Sequence, residues 1–193
     1  LTLRSENELN VEPAGDLKSL RYDHQYVGER TLPANEEVVL DNIEGDAMEI
    51  KAKIDLQDAE IVEMNVFRSP DKEECTRIVF YKRRGLRTRA YKGGNERPSL
   101  ISIQSSRSSV LPNPRSRAPE TAPVLIKEGE PLKLHVFIDK SIVEVFVNGK
   151  QCVGVLVFPG REDSNGVSLR SQSEDSKLIS LDAWQMENIY ETD

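Results

Sequence analysis

The stretch LHVFIDKSIVEVFVNGKQ, residues 134–151, constrains the fold more than any other part of this chain. Apolar residues recur at every second position, broken first by Asp-Lys-Ser and then by Asn-Gly. Extended backbone sends alternate side chains to opposite faces, and Asn-Gly tolerates the positive φ that a tight hairpin requires. Two consecutive hairpins are the expectation. With Asp139-Lys140 as a two-residue turn, Ile138 faces Ser141, Val136 faces Val143 and His135 faces Glu144. Asn148-Gly149 as the next turn sets Phe146 against Gln151 and Val145 against Cys152.

That register gives a core face of Leu134, Val136, Ile138, Val143, Val145, Val147, Cys152, Leu156 and Phe158. The opposite face carries His135, Phe137, Ile142, Glu144, Phe146, Val153, Val155 and Val157. An antiparallel sheet ordinarily presents one polar face, so a second apolar face implies a covering layer or a neighbouring domain. His135, Phe137, Glu144 and Phe146 therefore mark a candidate inter-domain face, with His135 and Glu144 read as a cross-strand structural pair rather than a general acid and base. A three-residue turn would separate those two, because a slip of one residue moves a side chain to the other face.

The same period of two runs through residues 46–56, with Met48, Ile50, Ala52, Ile54 and Leu56 on one side and Glu49, Lys51, Lys53 and Asp55 on the other. Further strands are expected at 60–67, 76–83, 100–104, 132–138, 142–147, 151–158, 166–171 and 178–186, with one helical turn near 16–21. Many short strands separated by turn residues predict an antiparallel sandwich, since each sheet must bury one face against another. Residues 105–130 break the pattern. Pro112, Pro114, Pro119 and Pro123 remove backbone donors there, and the segment reads as a long surface loop. Its Arg107, Arg115 and Arg117 are read as solvated charges, with an anion-binding patch as the alternative.

Composition excludes several function classes. A net charge of −7 disfavours nucleic acid as a partner, and no apolar run approaches the ~20 residues of a membrane helix. Two His residues and two widely separated cysteines, Cys75 and Cys152, form no metal-ligand spacing; the cysteines read as separate thiols, and neither metal nor cofactor is expected. The opening LTLRSENEL has neither a basic region nor a long apolar stretch, so the chain reads as a piece of a larger protein without a signal peptide. Trp184, the sole Trp, lies in LDAWQM, where core packing is favoured over stacking on a sugar ring.

Three blocks carry a resemblance: LKLHVFIDKSIVEVFVNGKQC at 132–152, VFPGREDSNGVSLRS at 157–171 and LISLDAWQMENIY at 178–190. Together with LTLR at 1–4 and SSRSS at 105–109, they resemble the C-terminal part of glycoside hydrolase family 32, the invertases, levanases, inulinases and related β-fructosidases. The resemblance implies one β-sandwich domain over 1–193, of the jelly-roll or concanavalin-like lectin type, cut from a catalytic β-propeller. It also implies that the propeller supplies the chemistry. A retaining glycosidase needs two carboxyl groups ~5 Å apart, and this chain has neither the family's Asn-Asp-Pro-Asn nucleophile motif nor its Arg-Asp-Pro motif. Glu74-Cys75 matches the family's acid/base dipeptide in letters only, since it sits in a charged turn leading into a strand.

The implied role is a non-catalytic accessory domain that stabilises the propeller and takes part in a homodimer contact. The alternative is an independent fructan-binding module, against which an aromatic content of 6% weighs. Family members occur inside and outside cells, and the lack of any Asn-x-Ser/Thr sequon weighs mildly against a glycosylated secretory protein.

Overall fold

In the computed structural model, residues 1–5, 8–86, 97–112 and 118–189 are described. Two antiparallel sheets pack face to face. One runs, edge to edge, β10 (Glu120–Val124), β9 (Ser99–Gln104), β8 (Thr76–Tyr81), β7 (Ile61–Arg68), β14 (Gly166–Gln172) and β5 (Glu37–Glu44). The other runs β13 (Gln151–Leu156), β12 (Ile142–Val147), β11 (Leu132–Asp139), β6 (Ala47–Asp55), β15 (Ser176–Met186) and β3 (Arg21–Val27), with β4 (Arg30–Leu32) alongside β15. A small hairpin of β1 (Thr2–Ser5) and β2 (Glu8–Asn10) precedes a single 3-10 turn at Leu17–Leu20, within the region where a helical turn is expected.

Alternation builds the core. Met48, Ile50, Ala52 and Ile54 of β6 are all buried, as the period of two requires, beside Leu134, Val136 and Ile138 of β11 and Val143, Val145 and Val147 of β12. Val62, Met64 and Val66 of β7, with Ile78 and Phe80 of β8 and Ile101 and Ile103 of β9, come from the facing sheet. Each such side chain, fully buried, contributes about 1.5–3 kcal/mol over its exposed state.

The first turn lies one residue later than the sequence expectation, which shifts the β11–β12 pairing by two, and the second loop is one residue longer, which shifts the β12–β13 pairing by one. Asp139 stays in the strand, opposite Ile142 on one side and Ala47 on the other, so the first turn is Lys140-Ser141. The Lys140 amide donates to Asp46 O at 2.7 Å and its ammonium pairs with the Asp46 carboxylate at 2.9 Å, which holds Lys140 at a positive φ of 53°. The second loop has three residues, Asn148-Gly149-Lys150, and pairs Val147 with Gln151. There the Asn148 side chain bonds Lys133 N, Pro131 O and Glu130, fixing a longer loop than Asn-Gly alone implies.

The first change keeps the expected inward faces of β11 and β12, and only the second reverses the faces of β13. His135 lies opposite Phe146, and Phe137 opposite Glu144, so the expected His135–Glu144 pair does not form. On β13 and just beyond, Val153, Val155 and Val157 turn into the core, while Leu156 and Phe158 turn outward and Cys152 is half-buried. Both cysteines are free thiols.

The expected long loop also contains β10. Pro123 fits there because β10 is an edge strand, where a missing N–H costs least. Pro114, Arg115 and Arg117 lie outside the described residues. Arg107 is held locally, donating to Lys72 O at 2.6 Å.

Outer face of the seven-stranded sheet

Outward positions of five strands converge on one carboxylate. In cross-strand register, Glu144 of β12, Phe137 of β11, Glu49 of β6 and Trp184 of β15 form one row. Phe146, His135, Lys51, Asp182 and Tyr26 form the next. Glu49 sits between Phe137 and Trp184 and is buried, although the β6 alternation marks its side as polar.

A charge withdrawn from water must be compensated by partners. Arg21, at the start of β3, donates from Nε at 2.7 Å and from Nη2 at 2.6 Å, a bidentate grip. His135 Nε2 lies 2.6 Å from the same carboxylate, and Lys51 Nζ 3.2 Å away. Since an ionised carboxylate only accepts, His135 carries its proton on Nε2 in this contact. Burial alone would raise the Glu49 pKa, but the bonds from His135 and Arg21 and the charge of Lys51 outweigh it and lower the value to about 2.

Aromatic rings frame this centre. His135 contacts Phe137 at 4.6 Å between centroids and Phe146 at 6.1 Å, and the two Phe rings meet edge to face. Trp184 stands outside the core, half-buried, contrary to the core-packing expectation; its inward neighbours Leu181 and Ala183 take the core positions. The Arg21 guanidinium lies 4.1 Å over the indole, and the His24 ring stacks on it at 4.9 Å while bonding Asp182 at 2.8 Å.

The structure thus groups His135, Phe137, Phe146 and Trp184 around Glu49. Glu144 shares the face but not the cluster: it is exposed, flanked by Phe137 and Gly154. Sequence reasoning missed Glu49 and Arg21. The only signal for Glu49 is its position amid a strand whose cross-strand neighbours are aromatic, which needs the pairing of β6 with β11 and β15 to be visible.

Chemically, Glu49 is a poor proton donor. A general acid at neutral pH needs a raised pKa, whereas this carboxyl is held ionised with both oxygens engaged. Glu74 is likewise occupied. It accepts from Val110 N at 2.6 Å, Gly160 N at 2.8 Å, Arg161 N at 3.2 Å and Ser164 Oγ at 2.6 Å, clamping three segments together. Burial pushes its pKa up, and the bonds from Ser164 and the three amides pull it below the usual value. Among the described residues, no group of three or more His, Cys, Asp or Glu is arranged to hold a metal ion.

Two packed antiparallel sheets, with an ionic and aromatic cluster on one outer face and side-chain carboxylates used as clamps, define a lectin-like β-sandwich module. The chain belongs to glycosyl hydrolases family 32: residues 16–185 match the model described as "Glycosyl hydrolases family 32 C terminal". It is 27% identical over 182 residues to a levanase of Bacillus subtilis, covering 93% of this chain and 25% of that protein. It is 30% identical over 118 residues to a fructan 6-exohydrolase of Beta vulgaris, covering 59% of this chain and 18% of the relative. The chain therefore spans a quarter or less of these curated relatives. Fructan 1-exohydrolase IIa from Cichorium intybus superposes with a TM-score of 0.78 at 19% identity, over 92% of this chain and 38% of that one. An exo-inulinase from Aspergillus awamori gives 0.68 at 14% identity, over 93% and 32%. These two likenesses establish the sandwich fold.

Proposed function

We propose that this chain is the non-catalytic C-terminal accessory domain of a β-fructosidase, a glycosidase acting on sucrose, levan or inulin. In this reading it packs the outer face of its seven-stranded sheet against the catalytic β-propeller and stabilises it. The observation that carries the proposal is the half-buried aromatic cluster around Glu49, on a face that an isolated antiparallel sheet would leave polar. Ile142 (41% exposed) and Leu156 (44%) pair across β12 and β13 on the same face and extend its apolar surface. The covered fraction of the levanase relative leaves ample chain for a catalytic portion. A sugar platform at Trp184 is less favoured, because Arg21 and His24 already stack on the indole.

Purified chain incubated with sucrose, levan or inulin tests the first half of the proposal. No release of fructose is expected, and steady turnover would refute it. For the second half, Phe137→Asp introduced into the parent protein lowers its thermal midpoint by more than it lowers that of this chain alone. Equal shifts in both would remove the docking role from this face.

A further inference from the structure

A cleft of about 460 Å³ opens at one end of the sandwich, apart from the Glu49 cluster. Gly45 and Asp46 of the β5–β6 turn, Lys140 and Ser141 of the β11–β12 turn, and residues 157–165 after β13 form its walls, and Phe67 takes part in its lining. The walls are fastened to one another. Gly45 N donates to Asn165 O at 2.9 Å, Lys140 N to Asp46 O at 2.7 Å, and Val157 N to Ser141 O at 2.8 Å. The buried Glu74 clamp holds Gly160, Arg161 and Ser164 in place from behind. Phe67, buried at 1% exposure, adopts a φ of 47° where β7 places two residues, Val66 and Phe67, opposite Val167 of β14. Positive φ is a rare and costly state for a bulky residue, and such strain clusters at binding sites. The cleft is therefore preformed, with its shape set by contacts between both sheets.

Its free groups specify a ligand class. The side chains of Ser141, Glu162 and Asn165 make no hydrogen bond or ion pair with the described residues. The cations are already spent: Lys140 pairs with Asp46, and Arg161 with Asp71, Glu73 and Asp163. An anionic ligand finds no unpaired positive charge. What remains is a hydroxyl, an amide and a carboxylate beside Phe158, a residue 51% exposed. Hydroxyl groups both donate and accept, so a polyol satisfies the amide and the carboxylate together, while the C–H face of a sugar ring packs on the aromatic. From this geometry we infer that the cleft binds a neutral saccharide, one or two sugar units long, with Phe158 as its stacking surface and Asn165 and Glu162 as its hydroxyl partners.

Titration of the 193-residue chain with sucrose, followed by amide chemical shifts, tests the site. Shifts concentrate at Ser141 and at residues 158–165, and saturate at millimolar sugar. Phe158→Ala weakens binding by about three- to tenfold, the range that aromatic stacking contributes, and Asn165→Ala weakens it while leaving the Gly45 backbone contact intact. Both positions lie outside the core, so unchanged thermal midpoints accompany the loss. Trp184→Ala leaves the affinity as it was. No shift around the cleft, undiminished affinity in Phe158→Ala, or tighter binding of fructose 6-phosphate than of its neutral counterpart overturns the inference. None of these outcomes depends on whether the Glu49 face docks a propeller.

Discussion

Replacing Glu49 by Gln keeps the shape of the side chain and removes the charge on which Arg21, His135 and Lys51 converge. The Glu49 carboxyl titrates near 2 in the folded chain, against an ordinary value of 4.5. That gap of about 2.5 pH units, at ~1.36 kcal/mol each, corresponds to roughly 3 kcal/mol. Because the folded value is the lower one, the stabilisation is complete above the ordinary pKa and disappears as pH falls through 4.5 to about 2. Wild type should therefore exceed Glu49→Gln by roughly 3 kcal/mol at neutral pH, a difference that already includes the cations left without a charged partner. The two converge in acid. Glu37 and Glu130 are also held near 2, but they titrate alike in both proteins and cancel in the difference. Urea unfolding across pH, followed by the fluorescence of Trp184 beside the cluster, measures it directly. A difference that is the same in acid and at neutrality would refute the electrostatic reading of this cluster.

Other perturbations probe other links. Ile50→Ala, wholly buried in β6, should cost about 2–5 kcal/mol in chemical denaturation; a loss below ~1 kcal/mol would argue against a tightly packed core. Glu74→Gln should raise amide exchange at Gly160 and Arg161, whose N–H groups it receives, by an amount reflecting about 1–3 kcal/mol of local stability. Gly45→Ala would bring a Cβ within 2.7 Å of Gln185 Oε1 and 2.9 Å of Met48 Cγ, so its thermal midpoint should drop.

The parts legible in the sequence were those governed by local periodicity. Met48, Ile50, Ala52 and Ile54 announce an inward face because alternation needs only the strand itself. The hairpin pairing was harder. Lys140 takes the positive φ that Asp139 was free to avoid, owing to Asp46, a residue 94 positions away. The third strand's inward residues then change parity because Asn148 ties its loop to Glu130 and Pro131. The strand β3 was hidden by its irregularity: its register shifts opposite Trp184, and Asp23 has a positive φ. Glu49 was hidden for a related reason. Its partners Arg21 and His135 lie 28 and 86 residues away, so nothing local distinguishes it from the solvated Lys53 and Asp55 of the same strand. That Phe137, Phe146 and His135 share an outward face follows from alternation, while the identity of their polar centre required the sheet.

The docking role proposed for that face is tested most directly by side-chain footprinting with a carbene reagent, applied to this chain and to the proposed parent protein. Ile142, Leu156, Phe137 and Phe146 should label readily in the isolated chain and severalfold less in the parent, while the exposed Val39 on β5 of the six-stranded sheet serves as a reference. Equal labelling of the four residues in both proteins would contradict the account.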